Sequence, residues 1–149
     1  MGQRHDTHDH SSHDHVWADD LTRNQELVLG ALAHADAPLS AYDLLDRLRS
    51  EGLRAPLQVY RALEKLTERG LAHRLESLNA FVVCADAHCH RTGTIAFAIC
   101  EGCGHVDEFA DKSVEKRLGQ WSESAGFVPR LTTIELRGLC AGCAASQPA

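Results

Sequence analysis

The chain has 149 residues, with 15 Lys+Arg against 21 Asp+Glu and a formal net charge of −6. That length suits one or two small domains with a real core; no apolar run approaches the roughly 20 residues that cross a bilayer, and the N-terminus lacks the apolar stretch of a secretory signal. A soluble, cytoplasmic protein is expected, and the acidic balance argues against a bulk polyanion binder, because Lys and Arg are what neutralise phosphates.

Ten His and six Cys are unusual for this size. In a reducing compartment cysteines bind metal or do redox chemistry more often than they form structural disulfides. Residues 1–20 hold five of the His and five Asp, with Val16 and Trp17 as the sizeable apolar residues besides Met1. A segment this polar cannot offset its ordering entropy and reads as a disordered tail, able at most to collect divalent ions weakly.

From residue 21 to 84 the pattern is three helices and a hairpin. Val28, Ala31, Leu32 and Ala35 make one helical stripe before Pro38 breaks the chain. Ser40 stands as an N-cap with Asp43 three residues on, in a capping-box arrangement. Ala41, Leu44, Leu45 and Leu48 repeat the stripe until Gly52. Pro56 suits the first turn of a third helix, with Val59, Ala62, Leu63 and Leu66 inward and Gly70 as its stop. Leu71–Leu75 and Ala80–Cys84 then read as an antiparallel hairpin.

Three helices followed by a hairpin is the layout of a winged helix, in which the third helix enters the major groove of double-stranded DNA. Gln58, Arg61 and Lys65 share the outward side of that helix, with Tyr60 beside them. Arg and Gln are well matched to base edges. Charge divides accordingly: residues 1–20 carry −4 and residues 76–149 carry −3, whereas Arg54–Arg74 carries a local +3. The acidic total therefore permits a modest DNA footprint that depends on correctly posed base contacts.

Residues 85–93 form a Cys/His-rich hinge, and residues 94–149 read as a small α/β unit. Strands are expected at Thr94–Ile99, His105–Phe109 and Leu131–Leu139. A helix carrying Val114, Leu118, Trp121 and Ala125 fits between Asp111 and Gly126. With few large apolar residues of its own, this unit is expected to complete its core by dimerising. The overall class is α+β.

Cys100-Glu101-Gly102-Cys103 and Cys140-Ala141-Gly142-Cys143 are two glycine-containing C-x-x-C loops. Together they supply the four thiolates of a tetrahedral structural zinc site. Candidates for a second site are His73, Cys84, His88, Cys89, His90, His105 and Glu108, from which spacing alone selects no set. His73 and Cys84 fall on opposite wing strands, so a site joining them to Glu108 would bridge the two domains. A zinc metalloenzyme or metal carrier is an alternative of a different class, and an enzyme would need an open coordination position and a general base.

The run Val59-Tyr60-Arg61-Ala62-Leu63 ahead of Gly70-Leu71-Ala72-His73, followed by Cys100-x-x-Cys103-Gly104, Gly126-Phe127 and Gly138-Leu139-Cys140-x-x-Cys143, resembles the ferric uptake regulator (Fur) family over roughly 21–143. Ser40-Ala41-Tyr42-Asp43-Leu44-Leu45 and His73-x-x-Glu76-Ser77-x-Asn79-x-Phe81-Val82-Val83-Cys84 are most similar to its zinc-uptake-regulator branch. The resemblance implies a homodimeric, zinc-responsive repressor of zinc-uptake genes whose winged helix reads an operator, with a family member sensing iron, manganese, nickel or peroxide as the alternative. It implies two Zn2+ per protomer. The structural ion falls to Cys100, Cys103, Cys140 and Cys143; the regulatory ion falls to His73, Cys84, Glu108 and a connector histidine, His90 with His88 as the alternative. DNA contacts map to Tyr42, Tyr60 and Arg61, and Gln58 stands where the family usually has Thr. Cys84 is the residue expected to separate zinc from iron sensing, since a thiolate favours Zn2+ in a mixed N/S/O set.

Overall fold

The computed structural model describes residues 20–85 and 94–147. The His/Asp-rich tail and His88, Cys89 and His90 lie outside the described residues. No helix among the described residues is long and apolar enough to cross a membrane.

α1 (Arg23–Ala33) is opened by a capping box: the Gln25 amide donates to the Thr22 hydroxyl, and the Thr22 amide donates to the Gln25 side chain. The helix ends two residues short of the expected stripe, and Ala35 packs against the core from the turn that follows. α2 (Ala41–Leu48) has the same device, with the Asp43 amide donating to Ser40 Oγ and the Ser40 amide donating to Asp43 Oδ2 at 2.9 Å. Hydrogen bonds from the Ser40 hydroxyl and amide hold the Asp43 carboxyl below the usual carboxylate range. A single 3-10 turn (Arg49–Glu51) then reverses at Gly52, whose φ of 105° is a left-handed conformation that glycine adopts without strain.

α3 (Pro56–Glu68) buries Val59, Ala62, Leu63 and Leu66 against α1 and α2. Each fully buried large side chain contributes about 1.5–3 kcal/mol, against about 1 kcal/mol for a cap, so packing rather than capping fixes the helix. The wing follows as β1 (Ala72–Leu75) and β2 (Ala80–Val83), antiparallel from Ala72↔Val83 to Leu75↔Ala80. Leu39 adds a bridge to Phe81 on the other side of β2, tying the wing to the chain ahead of α2.

The C-terminal unit comprises β3 (Thr94–Cys100), β4 (Val106–Phe109), α4 (Lys112–Ala125), β5 (Thr132–Gly138) and a short α5 (Ala141–Ala145). Its sheet runs β4-β3-β5, with β4 antiparallel and β5 parallel to the central strand. A parallel neighbour requires a crossover, and α4 provides it. One sheet face carries Ile95, Phe97 and Ile99, which form a second core cluster with Leu75 and Val82 of the wing. The two units therefore meet through a shared apolar seam.

The apolar stripe of α4 departs from a simple core face. Val114, Leu118 and Trp121 are exposed in the single chain, and the buried residue of the helix is Ser122. Phe127, Val128 and Leu131 extend this open surface, Val128 being 84 % and Leu131 74 % exposed.

Candidate functional site

The Sγ atoms of Cys100, Cys103, Cys140 and Cys143 lie within 4.8 Å of one another. The first pair closes the β3–β4 turn, where the Gly104 amide donates to the Cys100 carbonyl and the Cys100 amide donates to the His105 carbonyl. The second pair follows β5 and enters α5, which the sequence pattern did not anticipate because five Ala/Gly/Cys residues carry no periodicity. Cys103 Sγ and Cys140 Sγ are 3.8 Å apart. Two thiolates on tetrahedral zinc, with Zn–S near 2.3 Å, stand about 3.8 Å apart. No disulfide links any of the five described cysteines.

The electrostatics fit a cation. Backbone amides of Cys140 and Cys103 donate to Cys100 Sγ and pull its thiol down to about 6. Hydrogen bonds among the thiols, from Cys140 first and then Cys100 and Cys103, hold the proton on Cys143 and push it up to about 12. Four thiolates so close repel one another strongly, and a bound divalent cation is what relieves that repulsion. Gly102 is required by space: a Cβ there would lie 2.9 Å from Cys143 Sγ and 3.0 Å from Cys143 Cβ.

The second cluster joins His73, Cys84 and Glu108, whose ligand atoms also lie within 4.8 Å of one another. His73 comes from β1, Cys84 follows β2, and Glu108 comes from β4. Glu108 Oε1 is 3.7 Å from His73 Nε2 and 3.9 Å from Cys84 Sγ. Its other oxygen accepts a hydrogen bond from the Ala85 amide at 3.0 Å, which orients the carboxylate. His73 is 8 % exposed and its ring packs 5.5 Å from that of Phe97. An imidazole, a thiol and a carboxylate converging at this depth form a donor set suited to zinc.

His105 stays outside both clusters; it is exposed and pairs with Asp107 at 3.0 Å. His34 caps α1, its Nδ1 lying 2.7 Å from the Gly30 carbonyl.

On the outer side of α3, Arg61 and Lys65 are exposed, and Tyr60 is exposed beside them. Tyr42, at the start of α2, is also exposed. Lys65 pairs with Glu68 at 2.7 Å in a solvent-exposed contact that a phosphate can displace. Gln58 has a role the sequence reading missed. Its Oε1 accepts from the Arg54 and Ala55 amides at 2.9 and 3.1 Å, closing the N-terminus of α3 in the absence of a capping side chain at Ala55.

The ferric uptake regulator family model matches residues 19–137. The chain is 41 % identical over 124 residues to the zinc uptake regulation protein of Escherichia coli K12, covering 83 % of this chain and 72 % of that protein. Among solved structures, a zinc uptake regulator complexed with zinc and DNA superposes with a TM-score of 0.78 at 40 % identity, covering 85 % of this chain and 84 % of that one. Holo XcZur superposes with a TM-score of 0.77 at 41 % identity, covering 85 % and 87 %. An α+β fold with an N-terminal winged helix, two cysteine pairs closed into one thiolate cluster, and a match along most of the chain lead to one assignment: the chain belongs to the ferric uptake regulator family.

Proposed function

We propose that this chain is a cytoplasmic, zinc-responsive transcriptional repressor that binds operator DNA as a zinc-loaded homodimer and controls zinc-uptake genes. The observation that carries the reading is the cluster of His73, Cys84 and Glu108, drawn from the wing and from the C-terminal sheet. Similarity to zinc uptake regulators, one of them complexed with zinc and DNA, supports it.

In this reading Cys100, Cys103, Cys140 and Cys143 hold a structural zinc, and His73, Cys84, Glu108 and His90 (or His88) hold the regulatory one, giving two ions per protomer. Zinc bound at the second set supplies a positive centre that thiolate, imidazole and carboxylate share. The residues of the chain do the rest. Cys84 loses its proton, His73 presents a neutral nitrogen, and Glu108 keeps the orientation fixed by the Ala85 amide. Wing and sheet are thereby held in one relation, which sets the spacing of two recognition helices on a pair of half-sites. A coupling of about 1–3 kcal/mol shifts operator affinity roughly 5–150-fold.

Residues 21–84 form the DNA-binding domain, residues 85–93 the hinge and residues 94–149 the dimerisation domain. Tyr42, Gln58, Tyr60, Arg61 and Lys65 face the operator. The exposed Trp121, Phe127, Val128 and Leu131 are the surface that a second copy covers. The test is a gel shift of the full chain on a promoter fragment of a zinc-uptake operon. Retardation should appear with zinc, disappear with a chelator, and be absent for Cys84→Ser; binding that ignores zinc sinks the reading.

A further inference from the structure

Across the C-terminal sheet, Phe97 pairs laterally with Glu108 on β4 and with Glu135 on β5. Laterally paired residues share a sheet face, so the two carboxylates flank the buried Phe97 ring on the face that meets the wing. Glu108 serves the metal-ligating cluster. Glu135 reaches the other end of the same hairpin, accepting hydrogen bonds from the amides of Glu76 at 2.6 Å and Ser77 at 3.0 Å. These amides lie just beyond Leu75, the last paired residue of β1. Leu75 itself is fully buried between the two attachments, against Ile95, Phe97 and Ile99.

Burial works against ionisation of Glu135. The hydrogen bonds from the Ser77 side chain and amide and from the Glu76 amide, with Arg137 nearby, outweigh it and keep the carboxyl below its ordinary range. A charged acceptor shared by two backbone donors makes a strong contact, and among the described residues Glu135 belongs to neither metal-ligating cluster.

We propose that Glu135 is a metal-independent latch that docks the tip of the wing on the dimerisation domain, making the His73/Cys84/Glu108 site the second of two attachment points. This rests on reading that cluster as the regulatory zinc site. A hairpin held at one end pivots about it; held at both ends across Leu75 it has one orientation. With the latch in place, zinc uptake has only the remaining freedom to remove. Without it, the same zinc must also order the tip, and by reciprocity zinc affinity and operator affinity fall together. Glu135 is thus a positioning residue that belongs to neither metal-ligating cluster.

The test uses the full chain as wild type, Glu135→Gln and Glu135→Ala. Amide hydrogen exchange is followed at Glu76 and Ser77 after a mild chelator has removed the exchangeable zinc. Both amides should be protected in the wild type and lose that protection in Glu135→Ala. The free zinc giving half-maximal binding to the promoter fragment should rise about tenfold in both variants, the size expected for losing a charge-assisted contact. The chelator-resistant zinc should stay in place. Fast exchange at both amides in the wild type overturns the latch, even if the variants fail to fold. So does an unchanged zinc requirement in a folded variant. If the wild type shows no zinc-dependent DNA binding, the functional reading fails, and amide protection still decides the latch.

Discussion

Glu108 and Glu135 sit on opposite sides of Phe97 in one row of the C-terminal sheet, and each carboxylate engages a different end of the wing hairpin. Two acidic side chains, one on each strand beside β3, thus tie the two ends of the wing to the C-terminal sheet across the apolar seam of Leu75, Ile95, Phe97 and Ile99. Only Glu108 belongs to a metal-ligating cluster.

Cys84→Ser replaces the soft donor with a weak, hard one at nearly constant volume. The expected outcome is loss of the exchangeable zinc and a fall of tenfold or more in operator affinity at fixed free zinc. The chelator-resistant zinc should hold, as should the melting temperature compared after a mild chelator has removed the exchangeable zinc from both proteins, because the four-cysteine cluster lies apart from Cys84. Zinc content by mass spectrometry of the intact protein, alongside a gel shift, checks both halves. His73→Ala should give the same loss of response with an added loss of stability, since His73 packs on Phe97.

Gly102→Ala places a methyl group against Cys143, at distances real Cβ atoms do not tolerate. One C-x-x-C loop must shift, so the variant should surrender its structural zinc to a chelator concentration that leaves the wild type loaded. A chelator titration followed by zinc release reads this directly; equal retention in both proteins would falsify the packing argument.

Proton linkage follows from the thiol cluster. Cys100, pulled down to about 6, is already a thiolate at neutral pH, whereas Cys143, pushed up to about 12, holds its proton. Zinc binding needs both deprotonated, so loading releases protons and strengthens as pH rises. Between pH 8 and pH 5 the cost grows, because Cys100 must then also lose a proton. Chelator competition at several pH values should show zinc affinity falling steadily on acidification; a flat profile would contradict the four-thiolate assignment.

Gln58 separates capping from readout. Two backbone donors occupy its Oε1, so only the Nε2 group is left to meet DNA, and only as a donor. Gln58→Glu keeps an acceptor for the cap and turns that donor into an acceptor. The melting temperature should be little changed. The preferred base at one operator position should change, at about 1–3 kcal/mol. Binding measured across operators varied at single positions distinguishes this from a uniform loss caused by the added negative charge.

The helical stripes, the Ser40 cap, the hairpin and the two cysteine pairs were legible in the sequence because each rests on local spacing. Placing Cys84 beside His73 needed only the hairpin register. Glu135 was not legible, because its partners are backbone amides nearly sixty residues away and no residue type marks them. The same holds for the parallel pairing of β5, which depends on the path of α4. The stripe of Val114, Leu118 and Trp121 was read correctly as apolar, but periodicity does not say whether the covering surface lies in the same chain.

Zinc per protomer and operator binding, followed together along one chelator titration of the full chain, decide whether zinc shared by the wing and the C-terminal sheet controls DNA binding. Two zinc ions per protomer are expected at the start, with DNA release that coincides with loss of the first ion while the second remains. Operator binding that persists after the first ion has gone, or that is lost only with the second, rules that control out.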